Sequence, residues 1–527
     1  MPNKFDVIII GSGPAGAHSA LPLVKKGFKV AMIDVGNINL KPIELKFGES
    51  FEEIRKNRID QTDLFLGEDL SAIPQFDNEN SHSDAMTSGN KKYISKDSEK
   101  LLPILSKEMN ITQSLAKGGL SETWGAVCDI FDDEELEALG IPKKNMKKHY
   151  QEVINEIGIS GKHEGYETFT PLKIDSNARR ILKKYENKVK FKEKNFILKQ
   201  PLLALLSENM GKRKACQYKD NEFWMNQGDS IYRARFSVEE MEKKKNFKYF
   251  PDNLVLKFKE TNSGIEIFTK NISENIEKKY SAKYLIFASG SVNTVKILLK
   301  SFNLYDLPIP FITKTHYLIP SLQLSSLGHK GDVYRHSLCQ LAFQDNRKNN
   351  KLGSSFSQIY SYKSLLLYKL LEQTPLPMPE AMSLISIFAP SFIIVDTRFP
   401  SFLTLENRIV LKKSNSQDII EILNEPKNKK YSKYFKEIKK FLFRLGLIPI
   451  KVVETPLGST AHYAGGASFL DKNHPLGCEQ NGRLMRSKRV YIADASTWRA
   501  LPAKPLGLTI MANANRIANE LSKKIKK

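Results

Sequence analysis

The chain has 527 residues, 41% of them hydrophobic, and a formal net charge of +23. That length exceeds one simple core and points to two or three domains, and no apolar run reaches the roughly 20 residues that a membrane-spanning helix needs. The four cysteines, Cys128, Cys216, Cys339 and Cys478, are scattered and form no C-x-x-C pair, which argues against a redox dithiol or a zinc site and leaves reduced, mostly buried thiols.

The first element is an apolar run of strand length, Phe5 to Ile10, which leads directly into Gly11-Ser12-Gly13-Pro14-Ala15-Gly16. A small-residue segment of helical length follows. A second apolar strand, Lys29 to Ile33, ends on Asp34. This is a β-α-β unit with a phosphate turn at its first corner. Gly11 allows the tight turn, Gly13 lets the backbone approach a pyrophosphate, and Gly16 lets the helix lie close to the strand. Ala15 sits inside the same turn and belongs with the cofactor-binding set. Amide N–H groups at the helix N-terminus meet the phosphate charge. Asp34 can accept hydrogen bonds from a ribose hydroxyl. Because the chain starts almost on this buried strand, the expectation is no cleavable signal peptide and a cytoplasmic location.

Further along, Phe76 to Lys100 is polar and reads as a loop with too few apolar residues for a buried element. Residues 134–158 have helical spacing through Leu136, Leu139, Tyr150, Val153 and Ile154. Residues 176–245 are lysine-rich and mixed. Asn253 to Phe258 and Gly264 to Thr269 alternate like a hairpin, and Tyr284 to Ala288 reads as a buried strand. A Ser289-Gly290-Ser291 turn and a helical run, Thr294 to Leu299, come next. Residues 301–455 change character, with many aromatics, serines and prolines and no glycine-rich phosphate turn. Leu384 to Val395, the longest apolar run, reads as core or a cleft wall, with membrane contact as the alternative. The last 60 or so residues return to a strand, Arg489 to Ala493, the turn Asp494-Ala495-Ser496, and a helix, Leu508 to Leu521. There is no internal repeat.

Lysine clusters occur at Lys143 to Lys148, Lys243 to Lys245, Lys427 to Lys440 and Lys523 to Lys527. They read as a solvated surface, or else as attraction to an anionic lipid surface or a phosphorylated substrate. No nucleic-acid-binding module accompanies the charge, so nucleic acid is not an expected partner. The strand-to-glycine turns at 10–16 and 288–291 fit one sheet visited more than once. The expected fold is α/β: a discontinuous Rossmann-like dinucleotide domain from 1–140, 245–300 and 456–527, plus an α+β substrate domain with an antiparallel sheet from 141–244 and 301–455. In that arrangement the strand through Val255 is either an ordinary hairpin strand or lays its backbone beside an adenine.

Three distant segments together resemble the glucose-methanol-choline flavoprotein oxidoreductases. The first is the N-terminal unit. The second, Lys117-Gly118-Gly119-Leu120-Ser121-Glu122-Thr123-Trp124-Gly125, is similar to the family's G-G-x-S loop, above all in the pyranose oxidase-like branch, where a tryptophan follows. The third runs from His462 to Ile517. It holds Arg489-Val490-Tyr491-Ile492-Ala493-Asp494-Ala495-Ser496 and Leu508-Thr509-Ile510-Met511-Ala512-Asn513-Ala514-Asn515-Arg516-Ile517-Ala518. The resemblance implies FAD, with Gly11, Gly13, Ala15, Gly16, Asp34, Gly118, Gly119, Ser121, Trp124, Val255, Gly290, Asp494 and Ala495 in its site. Some branches attach the flavin through a histidine of the G-G-x-S loop. Thr123 stands near that place here, so FAD is expected to be non-covalent. No metal is expected.

The segment Ala461-His462-Tyr463-Ala464-Gly465-Gly466 resembles the family's H-x-x-G-T element, which carries the catalytic base. A histidine titrates in the range useful for taking a hydroxyl proton while hydride leaves for the flavin. His149, His316, His329, His336 and His474 lack a comparable context, and His474 beside Pro475 reads as a turn. The family also places an asparagine or second histidine just before the L-T-I helix. Pro505 stands there without a gap, and proline has no donor; a shift of one residue puts Lys504 there, as an electrostatic partner for an alkoxide. The implied activity is oxidation of a hydroxyl on a small, sugar-like or lipid-linked alcohol, by a dehydrogenase or an oxidase, in the cytoplasm or peripherally at the inner face of the membrane. Other flavin chemistry on the same scaffold, or a non-catalytic flavin-binding protein at a membrane, are the alternatives. No motif identifies the electron acceptor.

Overall fold

The structure is a computed structural model. It describes residues 5–526 apart from 41–45, 61–62, 65–88, 191, 223, 330, 333, 346, 348–354, 362–374, 415–416, 426–430 and 470–473. Most of the polar stretch expected to loop out at 76–100, and part of the lysine cluster at 427–440, lie outside the described residues.

One sheet grows from the N-terminal unit. Strand β1 (Phe5–Ile10) pairs in parallel with β2 (Val30–Ile33), and β2 in parallel with β3 (Phe247–Phe250). On its other side β1 pairs in parallel with a long strand, here β6 (Glu277–Phe287). The expected hairpin forms as β4 (Asn253–Glu260) and β5 (Ile265–Asn271), and β5 pairs antiparallel with the first half of β6. The second half of β6 pairs in parallel with Val490–Ile492. The chain therefore visits this sheet three times, where the two glycine turns predict more than one visit. The central strands are buried on both faces, with Val7, Ile8, Ile9, Ile33, Leu285 and Ile286 fully enclosed, which is why they read as continuous apolar runs.

A second, antiparallel sheet is made of β7 (His316–Leu322), β8 (Leu341–Asp345), β9 (Phe356–Ser361) and β10 (Phe392–Arg398), in the order β7-β10-β9-β8, with Phe196–Lys199 added at the β8 edge. Its residues alternate. Tyr317, Ile319, Phe343, Ile359, Ile393 and Val395 form an apolar core with the helices Ser176–Lys184 and Ser432–Arg444. The opposite face carries His316, Gln358, Tyr360 and Arg398, as period-2 geometry requires.

Several local expectations need correction. The helix expected over 134–158 is two, Asp133–Leu139 and Met146–Ile157, because Gly140 ends the first with φ at 84° and Pro142 follows. The segment before Lys100 does contain buried structure: Ile94 is fully enclosed in a short 3-10 turn. The apolar run at 384–395 is not one element. It closes the helix Met378–Phe388 and opens β10, so that Ile393 and Val395 are core while Leu384 and Ile387 are exposed. Among the described residues no helix is long and apolar enough to cross a membrane. All four cysteines are free and buried, as expected.

Candidate active site

The parallel strands of the first sheet all end at one edge, and the turn residues that follow them share it. Gly11 follows β1, Asp34 follows β2, the Ala288-Ser289-Gly290 turn follows β6, and Asp494 follows Val490–Ile492. All line one continuous cavity of about 600 Å³. The carboxyl edge is where doubly wound sheets take their ligands. Three helices also begin there: α1 (Pro14–Lys25), α2 (Ser291–Ser301) and α3 (Gly507–Lys526). Their first residues, Pro14, Ser291 and Gly507, line the cavity. Unpaired N–H groups and positive dipole ends thus converge on it, a setting that favours an anion.

The glycines divide by role. A Cβ on Gly16 would sit 1.9 Å from the Gly11 carbonyl oxygen, so Gly16 is needed for α1 to lie on β1. Gly11 has φ at 96°, and a Cβ there would meet the Ala288 carbonyl oxygen at 2.6 Å. Gly13 is different: its only neighbour is the Gly119 Cα at 3.9 Å, and it faces the cavity. The two glycine loops, 106 residues apart, therefore abut. Gly118 donates its N–H to Ser12 Oγ at 2.9 Å and supports the loop from behind, without lining the cavity. Ser121 Oγ donates to the Gly118 carbonyl at 2.6 Å and accepts the Ala234 N–H. Trp124 donates Nε1–H to the Tyr232 carbonyl at 2.8 Å, and a Cβ on Gly507 would strike its ring at 2.7 Å. The tryptophan wall and the start of α3 thus fit only with glycine at 507.

Asp34 accepts the Ser12 N–H at 3.1 Å and the Ser12 hydroxyl, and burial pushes its carboxyl up to about 6. Asp494 ties two turns together. It accepts the Gly290 N–H, the Thr294 hydroxyl, and the N–H and hydroxyl of Ser496. Its oxygens are committed inside the protein, so its part in the site is to hold the turns that face the cavity. Val255, Gly119, Ala15 and Ala495 line the cavity; Gly16 and Gly118 shape it from outside.

His462 lines the same cavity. Thr460 Oγ1 accepts its backbone N–H, while its Nδ1 is buried with no hydrogen-bond partner. Burial, with Lys314, Arg398 and His316 nearby, holds it well below the ordinary histidine range, so its imidazole is neutral. Lys504 is not beside it. Its ammonium donates to Glu135 Oε2 at 2.8 Å and to the Ile130 carbonyl at 3.3 Å, and it does not line the cavity. The expectation of an alkoxide partner at Lys504 is corrected by this: the side chain turns back to a buried carboxylate, leaving Pro505, Leu506 and Gly507 at the wall.

What the sequence reading missed comes from the second sheet. His316, Gln358, Tyr360 and Arg398 face the cavity from the polar side of β7, β9 and β10. His316 opens β7 directly opposite Arg398, which closes β10. His316 Nδ1 lies 3.1 Å from Asp396 Oδ1, and Arg398 Nη2 lies 2.7 Å from Asp396 Oδ2. The available signal was the polar residue at every second position of Asp396-Thr397-Arg398, next to an otherwise apolar strand.

The whole is similar to known proteins. Residues 5–108 match the family described as pyridine nucleotide-disulphide oxidoreductase. Among solved structures, the chain is similar to pyridoxine 4-oxidase from Mesorbium loti, at 12% identity and a TM-score of 0.60, over 99% of each chain. At that identity the likeness carries the fold. That fold joins the dinucleotide-type sheet and the antiparallel sheet that the sequence resemblance implies.

Proposed function

We propose that this chain oxidises a hydroxyl group of a small alcohol to a carbonyl, with non-covalent FAD as the electron acceptor bound in the cavity. One observation supports this most: a neutral histidine with a buried, unpartnered nitrogen shares a cavity with an open phosphate turn. The residues fit the cofactor. Gly13 leaves space where any side chain would intrude, and the N-termini of α1, α2 and α3 suit a pyrophosphate. Asp34 stands at the end of β2 for a ribose, and Val255 on β4 for the adenine. The lining stretch from Gly119 to Val127 carries no histidine, which supports non-covalent binding.

When bound, FAD supplies a two-electron acceptor for the hydride of the substrate carbon. The protein's own part is to place the hydroxyl and take its proton. His462, uncharged in its buried setting, offers a lone pair to that proton. Trp124 and the start of α3 wall the site, and the polar face of β7, β9 and β10 presents groups to the rest of the substrate. The same division assigns 1–140, 245–300 and 456–527 to the cofactor and 141–244 and 301–455 to the substrate. Ile104–Ser106 pairs in parallel with Ile419–Asn424 and stitches the two together. Sugar-like and lipid-linked alcohols are the proposed substrate class. The test is anaerobic bleaching of the bound flavin by a panel of sugars, sugar nucleotides, lipid alcohols and pyridoxine. A protein that shows no flavin absorbance, even after added FAD, overturns the reading.

A further inference from the structure

His462 is a poor place to leave a proton. It is buried, and of the groups around it Arg398 on β10 is a cation and Asp396 a carboxylate, while burial pushes the Lys314 ammonium before β7 well below its ordinary range. The adjoining start of β7 is better equipped. His316 Nδ1 is held by Asp396 Oδ1 at 3.1 Å, so a positive imidazole there has a carboxylate in contact. Arg398 anchors the other oxygen of Asp396 at 2.7 Å, and these two partners keep that carboxyl ionised and well below the usual carboxylate range. The other titratable groups close by, Tyr360 on β9 and Cys339, are pushed up by burial and stay neutral.

The two histidines belong to one rigid piece. Thr460 Oγ1 accepts the His462 N–H at 3.2 Å and donates to the Lys314 carbonyl at 3.1 Å. Thr455 donates its N–H and hydroxyl to the His316 carbonyl at 3.1 and 3.0 Å. Ser459 Oγ lies 3.5 Å from His316 Nε2. Short backbone loops therefore fix the spacing of both imidazoles at the same cavity.

We propose that the His316–Asp396 pair is the group on which the substrate's hydroxyl proton comes to rest, handed over by His462. This rests on the alcohol-oxidation reading above. The step balances. The substrate C–H bond breaks with its electron pair going to the oxidised flavin, the O–H bond breaks with its proton going to His462 and then His316, and a C=O bond forms. Asp396 is a positioning residue, acting through His316. Nothing at Pro505 can serve instead, since that residue has no donor and no titratable group.

The test uses FAD-loaded enzyme and anaerobic flavin reduction by an alcohol that bleaches the wild type. His316→Ala is expected to keep the wild-type flavin spectrum and to slow reduction by about 100-fold or more, with added imidazole restoring part of the rate. Asp396→Asn, which leaves the His316 ring without its carboxylate, is expected to slow reduction at saturating substrate by about tenfold or more with KM little changed, and Asp396→Glu to restore part of the rate. A His316→Ala rate within about threefold of wild type, a loss that imidazole does not relieve, or an Asp396→Asn rate at saturating substrate equal to wild type each overturns the proposal. Failure of the underlying reading looks different: no alcohol then bleaches the wild-type flavin at all.

Discussion

Lys504 Nζ sits 2.8 Å from Glu135 Oε2 inside the protein, where both side chains are almost fully covered. The pair joins the segment before α3 to the helix Asp133–Leu139, on the far side of the wall from the cavity. Removing one partner of a buried pair leaves a charge uncompensated, at a cost of about 3–5 kcal/mol, whereas replacing both with neutral groups costs far less. Burial already raises the Glu135 carboxyl to about 7, so without its partner it takes up a proton; Lys504→Met is therefore expected to lower the unfolding free energy by less than that, most at alkaline pH, in denaturant melts, and Lys504→Met with Glu135→Gln to recover most of it. Flavin reduction per folded holoenzyme should stay within about threefold of wild type. A collapse of rate with stability intact would restore an electrostatic role at Lys504.

The contrast between Lys504 and His316 shows what the chain reveals and what it conceals. The cofactor side was legible because its signal is local. Gly11, Gly13, Gly16 and Asp34 lie within one β-α-β unit, where spacing alone fixes their geometry. The substrate side was not legible, because it depends on strand pairing across long separations. His316 meets Asp396 only through the β7–β10 register, 80 residues apart. Lys504 was misplaced for a related reason. Position in the sequence put it beside α3, but not which way the side chain turns, and the deciding partner, Glu135, is 369 residues away.

Gly16 and Gly13 separate folding from binding. An alanine Cβ at 16 has the Gly11 carbonyl oxygen 1.9 Å away, and backbone cannot yield that much. Gly16→Ala is expected to reduce soluble yield and melting temperature even without cofactor. An alanine Cβ at 13 meets only the Gly119 Cα at 3.9 Å, and the backbone there has φ at −64°. Gly13→Ala should leave the apo melting temperature near wild type and weaken FAD binding, because the new methyl enters the cavity. Equal FAD affinity in Gly13→Ala and wild type, by titration of flavin fluorescence, would count against a pyrophosphate at that turn.

Asp34 links pH to stability of the apo protein. Burial raises its carboxyl to about 6 from an ordinary 3.8, so the folded state holds a proton that the unfolded state has lost. A raised folded value contributes stability at low pH that is lost as pH rises through it. Between about pH 4 and 6 the apo protein should therefore lose up to about 3 kcal/mol on account of this group. Asp34→Asn should flatten that slope in apo melts at pH 5 and pH 8, and should weaken FAD binding at both. An unchanged slope in the variant would mean that Asp34 is ionised in the fold throughout.

His462 gives the sharpest kinetic expectation. A base must be unprotonated to act, and burial with neighbouring cations already holds this imidazole neutral, well below its ordinary range. Its own protonation should therefore not slow flavin reduction as pH falls from 9 to about 6. An acid limb in that window therefore belongs to a group other than His462. His462→Ala is expected to lower the rate of anaerobic flavin reduction by about 10²- to 10⁴-fold, the range for loss of a general base, with the flavin spectrum unchanged. His462→Gln keeps a hydrogen-bond acceptor but cannot take a proton, so it should lose nearly as much rate while holding substrate better than alanine does. Stopped-flow traces at several substrate concentrations separate the two effects. A His462→Ala enzyme that reduces its flavin at near wild-type rate would remove base-assisted alcohol oxidation from this cavity and leave the histidine a structural part of the loop from Ser459 to Tyr463.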